Sequence, residues 1–189
     1  AGGMTLIPIL NIPTVSNTSY TYNATLGLFG LPSFFNGPRL LHSAILQDDG
    51  SVLLVGGLSI DLDQVIATGD LTQLVIGSRD DIVRYTESLF FGGWNDAGTM
   101  AESRAGAGVA ELPNGDILIA GGFQLSLSAS LTGLDLGTTA SADVYSQGAG
   151  VSATGSMSSA RFLPIITSLV DGTVLITAGG GAGAEIYQP

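Results

Sequence analysis

The sequence predicts an all-β chain assembled from repeated four-stranded antiparallel units, and three observations predict it. Residues Arg39 to Gly57, Arg104 to Gly122 and Arg161 to Gly180 share one order: Arg, apolar run, turn ending in Gly, second apolar run, Gly-Gly doublet. Only 11% of the 189 residues are charged, against roughly 25% in ordinary soluble domains. Mean hydropathy is +0.44, yet no apolar stretch approaches the roughly 20 residues that span a bilayer. The excess hydrophobicity therefore goes into sheet cores and subunit contacts.

The chain opens on Ala1-Gly2-Gly3, which reads as the tail of a further hairpin, with Gly3 standing 54 residues before Gly57. On that alignment Tyr20-Thr21-Tyr22 is a third strand and Leu26 to Phe29 a fourth, leading to Pro38-Arg39. A rival reading takes Ala1 as a mature terminus left by signal-peptide cleavage, with Met4 to Leu10 a free apolar strand.

Each full copy then begins with a hairpin. The turns Asp48-Asp49-Gly50, Pro113-Asn114-Gly115 and Asp171-Gly172 put Gly where a tight turn needs positive φ. Val52 to Val55, Ile117 to Ala120 and Val174 to Thr177 are short and wholly apolar or β-branched, as strands buried on both faces are. The doublets Gly56-Gly57, Gly121-Gly122 and Gly179-Gly180 end them where backbones pack closely, and no helix pattern follows to suggest a phosphate cradle.

A weaker common element comes next: Thr86 to Phe90, Ala142 to Tyr145 and Ala184 to Tyr187, so that Glu87, Asp143 and Glu185 align. Met100 and Met157 each precede the next Arg by four residues. The variable stretches 58 to 84 and 123 to 141 lie between second and third strands, as would Met4 to Asn17, which places all elaboration on one face. Leu58, Ile60, Leu62, Leu71, Leu74 and Ile76 predict an extra hairpin in the first of these.

In this order of Arg, apolar strand, Asp-Gly, Val/Leu/Ile strand, Gly-Gly and Ala-Glu-Ile-Tyr, the chain resembles the kelch repeat in its bacterial form. The resemblance covers most of residues 38 to 189, although the doublets step by 65 and 58 residues against roughly 50 in a kelch blade. The Trp that many kelch repeats carry after the Tyr is supplied only by Trp94. The family implies a β-propeller of four-stranded blades, here a partial or half propeller. The array divides into N-terminal strands 1–37, the second half of a split blade, then blades 38–103 and 104–160 and an incomplete blade 161–189. A closed propeller needs about four to eight blades, so the expected array leaves open flanks that call for a partner.

Charge and composition narrow that partner. There is no Lys, three of the five cations are the repeat residues Arg39, Arg104 and Arg161, and the net charge is -11. No basic stripe exists for nucleic acid or for anionic membranes. Cysteine is absent, so there is neither a disulfide framework nor a thiolate site. The Ser/Thr/Gly-rich texture and the sequons at Asn17 and Asn23 point to an extracellular or cell-surface protein.

No catalytic constellation emerges, and no cofactor is expected. His42 is the only histidine, which excludes multi-imidazole zinc or copper sites, and no nucleophile is marked beside it. Recurrence of Arg39, Arg104 and Arg161 with Glu87, Asp143 and Glu185 predicts structural charge pairs in place of catalytic acids. Asp61, Asp63 and Asp70 form the densest oxygen-ligand cluster, a weak calcium candidate whose spacing matches no known calcium loop.

The function expected is thus a non-enzymatic extracellular structural or interaction protein that completes its partial propeller by self-association, as a dimer, ring or filament. A second class is a lectin-like, carbohydrate-binding module, with Tyr20, Tyr22, Phe34, Phe35 and Trp94 as stacking surfaces for a glycan. A third is a segment of a larger kelch-containing enzyme.

Overall fold

The computed structural model describes residues 1–7, 12–87, 92–128, 133–181 and 183–189. The N-terminal segment holds β1 (Met4–Ile7), β2 (Ile12–Val15), β3 (Thr18–Ser19), β4 (Tyr22–Asn23), β5 (Leu28–Phe29) and β6 (Ser33–Phe34). β1 pairs with β2, β3 with β6 and β4 with β5, so residues 18 to 34 make one long hairpin.

The first full blade contains β7 (Ser43–Leu46) and β8 (Val52–Val55). An insertion follows, with β9 (Leu58–Asp61), α1 (Asp63–Thr68), a 3-10 turn at Leu71–Gln73 and β10 (Val75–Ser78). β11 (Asp81–Thr86) and β12 (Gly93–Thr99) complete the sheet in the order β12-β11-β8-β7. The second blade repeats this with β13 (Gly108–Glu111), β14 (Ile117–Ala120), inserted β15 (Phe123–Leu127) and β16 (Leu134–Thr138), β17 (Ala142–Ser146) and β18 (Gly150–Ala153). The third has β19 (Ile165–Ser168), β20 (Val174–Thr177) and β21 (Glu185–Tyr187). These are blades of a partial β-propeller: β7, β13 and β19 neighbour one another along one edge, and β12 neighbours β18 along the other.

The hairpin turns are built alike. Gly50, Gly115 and Gly172 have φ of 82°, 83° and 87°, and each donates its N–H to the carbonyl of the third residue before it, Gln47, Leu112 and Leu169. Asp49, Asn114 and Asp171 each accept the backbone N–H two residues on, so these polar side chains serve the turn.

Strand alternation then divides the core between flanks. Leu53 and Val55 of β8 meet Ile117 and Ile119 of β14, while Leu118 and Ala120 on the other face of β14 meet Val174 and Ile176 of β20. The third interface packs Phe35 on Leu54 and Val83.

The N-terminal segment carries the second half of a further blade. Gly3 donates its N–H to the Arg39 carbonyl at 3.0 Å, as Gly57 does to Arg104 and Gly122 to Arg161, each at 2.9 Å. Phe35 donates to Asn17 as Met100 donates to Asp80 and Met157 to Ala140. Its third strand begins at Thr18, earlier than the Tyr20 expected from sequence, because Gly2 bonds the Thr18 carbonyl where Gly56 bonds Asp81.

Three expectations are corrected. The Arg161 guanidinium bonds the carbonyl of Ala178 as Arg39 and Arg104 bond those of Gly56 and Gly121, so the third doublet is Ala178-Gly179, not Gly179-Gly180. The acid of the first blade is Asp81, not Glu87: Tyr85 lies opposite Val52 as Tyr145 lies opposite Ile117, which puts Glu87 beyond the paired residues. Of the element read as Thr86 to Phe90, Ser88, Leu89 and Phe90 lie outside the described residues. The first insertion contains a six-residue helix where only a hairpin was expected. Both insertions join one sheet, β16-β15-β10-β9, through Gly77 opposite Ser126, and β2 lies against β9.

Candidate functional site

The three repeat arginines are wholly buried and hold each blade's corner. Arg39 Nη2 donates to Asp81 Oδ2 at 2.6 Å, Arg104 Nη2 to Asp143 Oδ2 at 2.8 Å and Arg161 Nη2 to Glu185 Oε1 at 2.9 Å. Ser141 Oγ also accepts from Arg104, and Glu102 Oε2 accepts from Ser141 and Thr139. Burial works against the Asp81 carboxylate, but the Arg79 hydrogen bond and the Arg39 charge outweigh it and hold the group below its ordinary range. At Asp143 burial prevails over Arg104 and pushes the carboxyl up. The Ser158 backbone N–H and then Arg161 hold Glu185 down. The guanidinium contacts of these three arginines lie inside the blade corners, so this chemistry is structural.

The glycines of the doublets serve the same corners. Gly56 has φ 57°, and a Cβ there would stand 2.2 Å from the Arg104 carbonyl oxygen. Close approach of the next blade thus dictates glycine.

A cavity of about 260 Å³ opens between the N-terminal half blade and the first full blade, where a complete blade has its first two strands. Its wall is the near flank of the first blade, Ala44, Val52 and Leu54, with Tyr85 and Trp94 beyond and Tyr20 at the N-terminal side. Trp94 is fixed by Nε1 donating to Ser19 Oγ at 2.8 Å and by ring contacts of 5.3 Å to Phe35 and 5.2 Å to Tyr85.

The expected aromatic surface is therefore split. Tyr20 and Trp94 share this cavity, whereas Tyr22 packs its ring at a tilt against Phe29, centroids 5.1 Å apart, beside a separate groove with Leu26 and Leu28. Phe34 is exposed outside both groups. Phe35 is 2% exposed and unavailable for stacking, because it fills the core position that Met100 and Met157 fill elsewhere. Tyr85 was missed; its alignment with Tyr145 and Tyr187 was the signal for it.

His42 lines the cavity with Nδ1 buried and without a partner. Burial, then nearby positive charge including Arg39, lowers its pKa to about 4. The imidazole is neutral at neutral pH, and no carboxylate orients it among the described ion pairs.

Two of the three acidic candidates, Asp61 and Asp70, serve local structure. Asp61 Oδ1 accepts the Asp63 N–H at 2.9 Å, and Asp70 Oδ1 accepts from Thr72 at 2.9 and 2.7 Å. Among the described residues no group of three or more His, Cys, Asp or Glu is placed to hold a metal ion.

No family model matches the chain, and no curated protein matches it. The chain is similar to the solved structure of YjhT at a TM-score of 0.48 and 14% identity, over 98% of this chain and 74% of that one.

Proposed function

We propose that this chain is a non-enzymatic structural or interaction module of the kelch-repeat kind, at home outside the cell or on its surface, that covers its open flanks by self-association. The far flank of the third blade carries the reading. Leu53 in the first blade and Leu118 in the second are fully buried by the following blade. The equivalent Leu175 is only half-buried, and Ile165 and Ile186 beside it are 61% and 50% exposed. Apolar residues at those positions need a covering surface.

The corner at Ala178 constrains the cover. At Gly2, Gly56 and Gly121 a Cβ would stand 2.4, 2.2 and 3.1 Å from the next blade's Arg carbonyl oxygen, and Ala178 places a methyl at that point. A two-fold contact between third blades covers this flank without setting a backbone carbonyl against that methyl.

Native mass measurement of the purified chain tests this. A dimer that Ile165→Asp converts to monomer is expected; a monodisperse monomer overturns the reading. A second reading, a glycan-binding module, is favoured by the sharing of one cavity by Tyr20, Tyr85 and Trp94. Uniform absence of signal on a glycan array removes it.

A further inference from the structure

The long N-terminal hairpin has features that neither the blades nor their flanks use. Among the described residues β4 and β5 pair only with each other, so the ribbon extends past β3 and β6 as a two-stranded arm, with Glu87 beside its groove. Its tip has a fixed shape: Asn23 Oδ1 accepts the N–H groups of Thr25 and Leu26 at 3.0 and 2.9 Å, and Gly27 donates to the Asn23 carbonyl at 2.8 Å with φ 67°.

Along this arm Leu26, Leu28, Phe29, Tyr22, Tyr20 and Leu31 are each more than half exposed. The register gives their order: Leu26 in the turn, then Leu28 opposite Asn23, then Phe29 opposite Tyr22. Leu28 and Phe29 are consecutive, so they point to opposite faces of the ribbon, and both are largely exposed, Phe29 with its ring against Tyr22. No Asp, Glu, Lys, Arg or His occurs from residue 1 to residue 38, while the whole chain carries -11.

We propose that this arm is a docking element for a neutral lipid surface, entered by Leu26, Leu28 and Phe29 with the tyrosines behind them. A rigid protein surface covers one face of a ribbon, whereas acyl chains surround both. Aliphatic side chains at the tip and tyrosines nearer the base follow the polarity gradient of a bilayer interface. At about 3.3 Å per residue, the turn and the first two residue pairs fit within the roughly 5–10 Å reached by interfacial elements. The charge pattern sets the lipid class, since an uncharged arm on an acidic body gains nothing from anionic headgroups. Among the described residues no helix is long and apolar enough to cross a membrane.

Flotation with phosphatidylcholine vesicles tests the proposal. The chain is expected to float with them, insensitively to salt and more weakly when phosphatidylserine is added. A Leu26→Asp/Phe29→Asp variant is expected to lose roughly tenfold or more of the bound fraction with an unchanged melting temperature. Failure of the parent chain to float overturns the proposal, as does undiminished flotation of the variant. A native mass that falls in this variant without vesicles also overturns it, by assigning the arm to a second copy. The Ile165→Asp variant floats normally, which keeps this outcome separate from self-association through the third blade.

Discussion

Arg39 reaches Asp81 at 2.6 Å, although Asp81 stands two residues before the strand position that holds the acid in the other blades. Val83 occupies that position, opposite Leu54, where Asp143 lies opposite Ile119 and Glu185 opposite Ile176. A shift of two residues keeps the carboxylate on the same strand face, and Arg79 braces it from the other oxygen at 2.7 Å. Replacing Asp81 with Asn is expected to cost about 1–3 kcal/mol by denaturant titration. Glu87→Gln, at an exposed residue outside the pairing, stays within about 0.5 kcal/mol. Equal costs for the two variants would reinstate Glu87 as the repeat acid.

The second blade offers the stricter test of the arginine corner, because Arg104 and Asp143 are 0% and 2% exposed. Removing one partner leaves a buried charge unpaired, so Arg104→Met is expected to destabilise by about 3–5 kcal/mol. Unchanged stability in urea unfolding would show that the pair holds nothing.

The glycine doublets make opposite predictions at equivalent corners. Gly56→Ala adds a methyl against the Arg104 carbonyl in a left-handed conformation, at an expected cost of roughly 2–4 kcal/mol. Ala178 already occupies that conformation, with φ 60°. Ala178→Gly is therefore expected to be neutral or to gain up to about 1 kcal/mol. A loss of stability in the second variant would mean that the Ala178 methyl makes a contact of its own.

These corners also show where the sequence was legible. The Arg, the turn Gly and the short apolar strands recur at fixed separations because each is set by contacts inside one hairpin, and they identified all three second strands. The acid was misplaced in the first blade because side-chain reach, not backbone spacing, decides which residue meets Arg39. The doublet was misplaced in the third because Ala178-Gly179-Gly180 contains two candidate pairs, and only the Arg161 hydrogen bond distinguishes them. The sheet shared by the two insertions was not legible, since pairing between segments almost fifty residues apart leaves no local period.

His42 predicts a pH dependence with a definite sign. Burial first, then nearby positive charge, lowers its pKa from 6.5 to about 4, so the unfolded chain takes up this proton before the folded one does. The contribution is fully present above about pH 6.5 and is lost as pH falls toward 4. Its size is about 1–2 kcal/mol once solvent screening at a partly exposed ring is allowed for. His42→Gln is expected to flatten the stability profile across that window, and an unaltered slope between pH 6.5 and 4 would show that His42 titrates normally.

Phe35 ties the half blade to the first full blade, and the only tryptophan reports on it. Its ring is buried on Leu54 and Val83, 5.3 Å from that of Trp94, whose indole N–H reaches back to Ser19. The equivalent methionines fill the other two interfaces, so an aromatic here replaces a flexible plug with a rigid one. Phe35→Ala removes that plug at an expected cost of about 3–5 kcal/mol. Because the loss falls on the docking of residues 1 to 37, Trp94 emission is expected to shift to the red before the remaining blades unfold, giving two transitions. Phe35→Met, which restores the side chain used in the other blades, is expected to recover a single transition. A single transition in Phe35→Ala would instead show that the N-terminal segment and the first blade unfold as one unit.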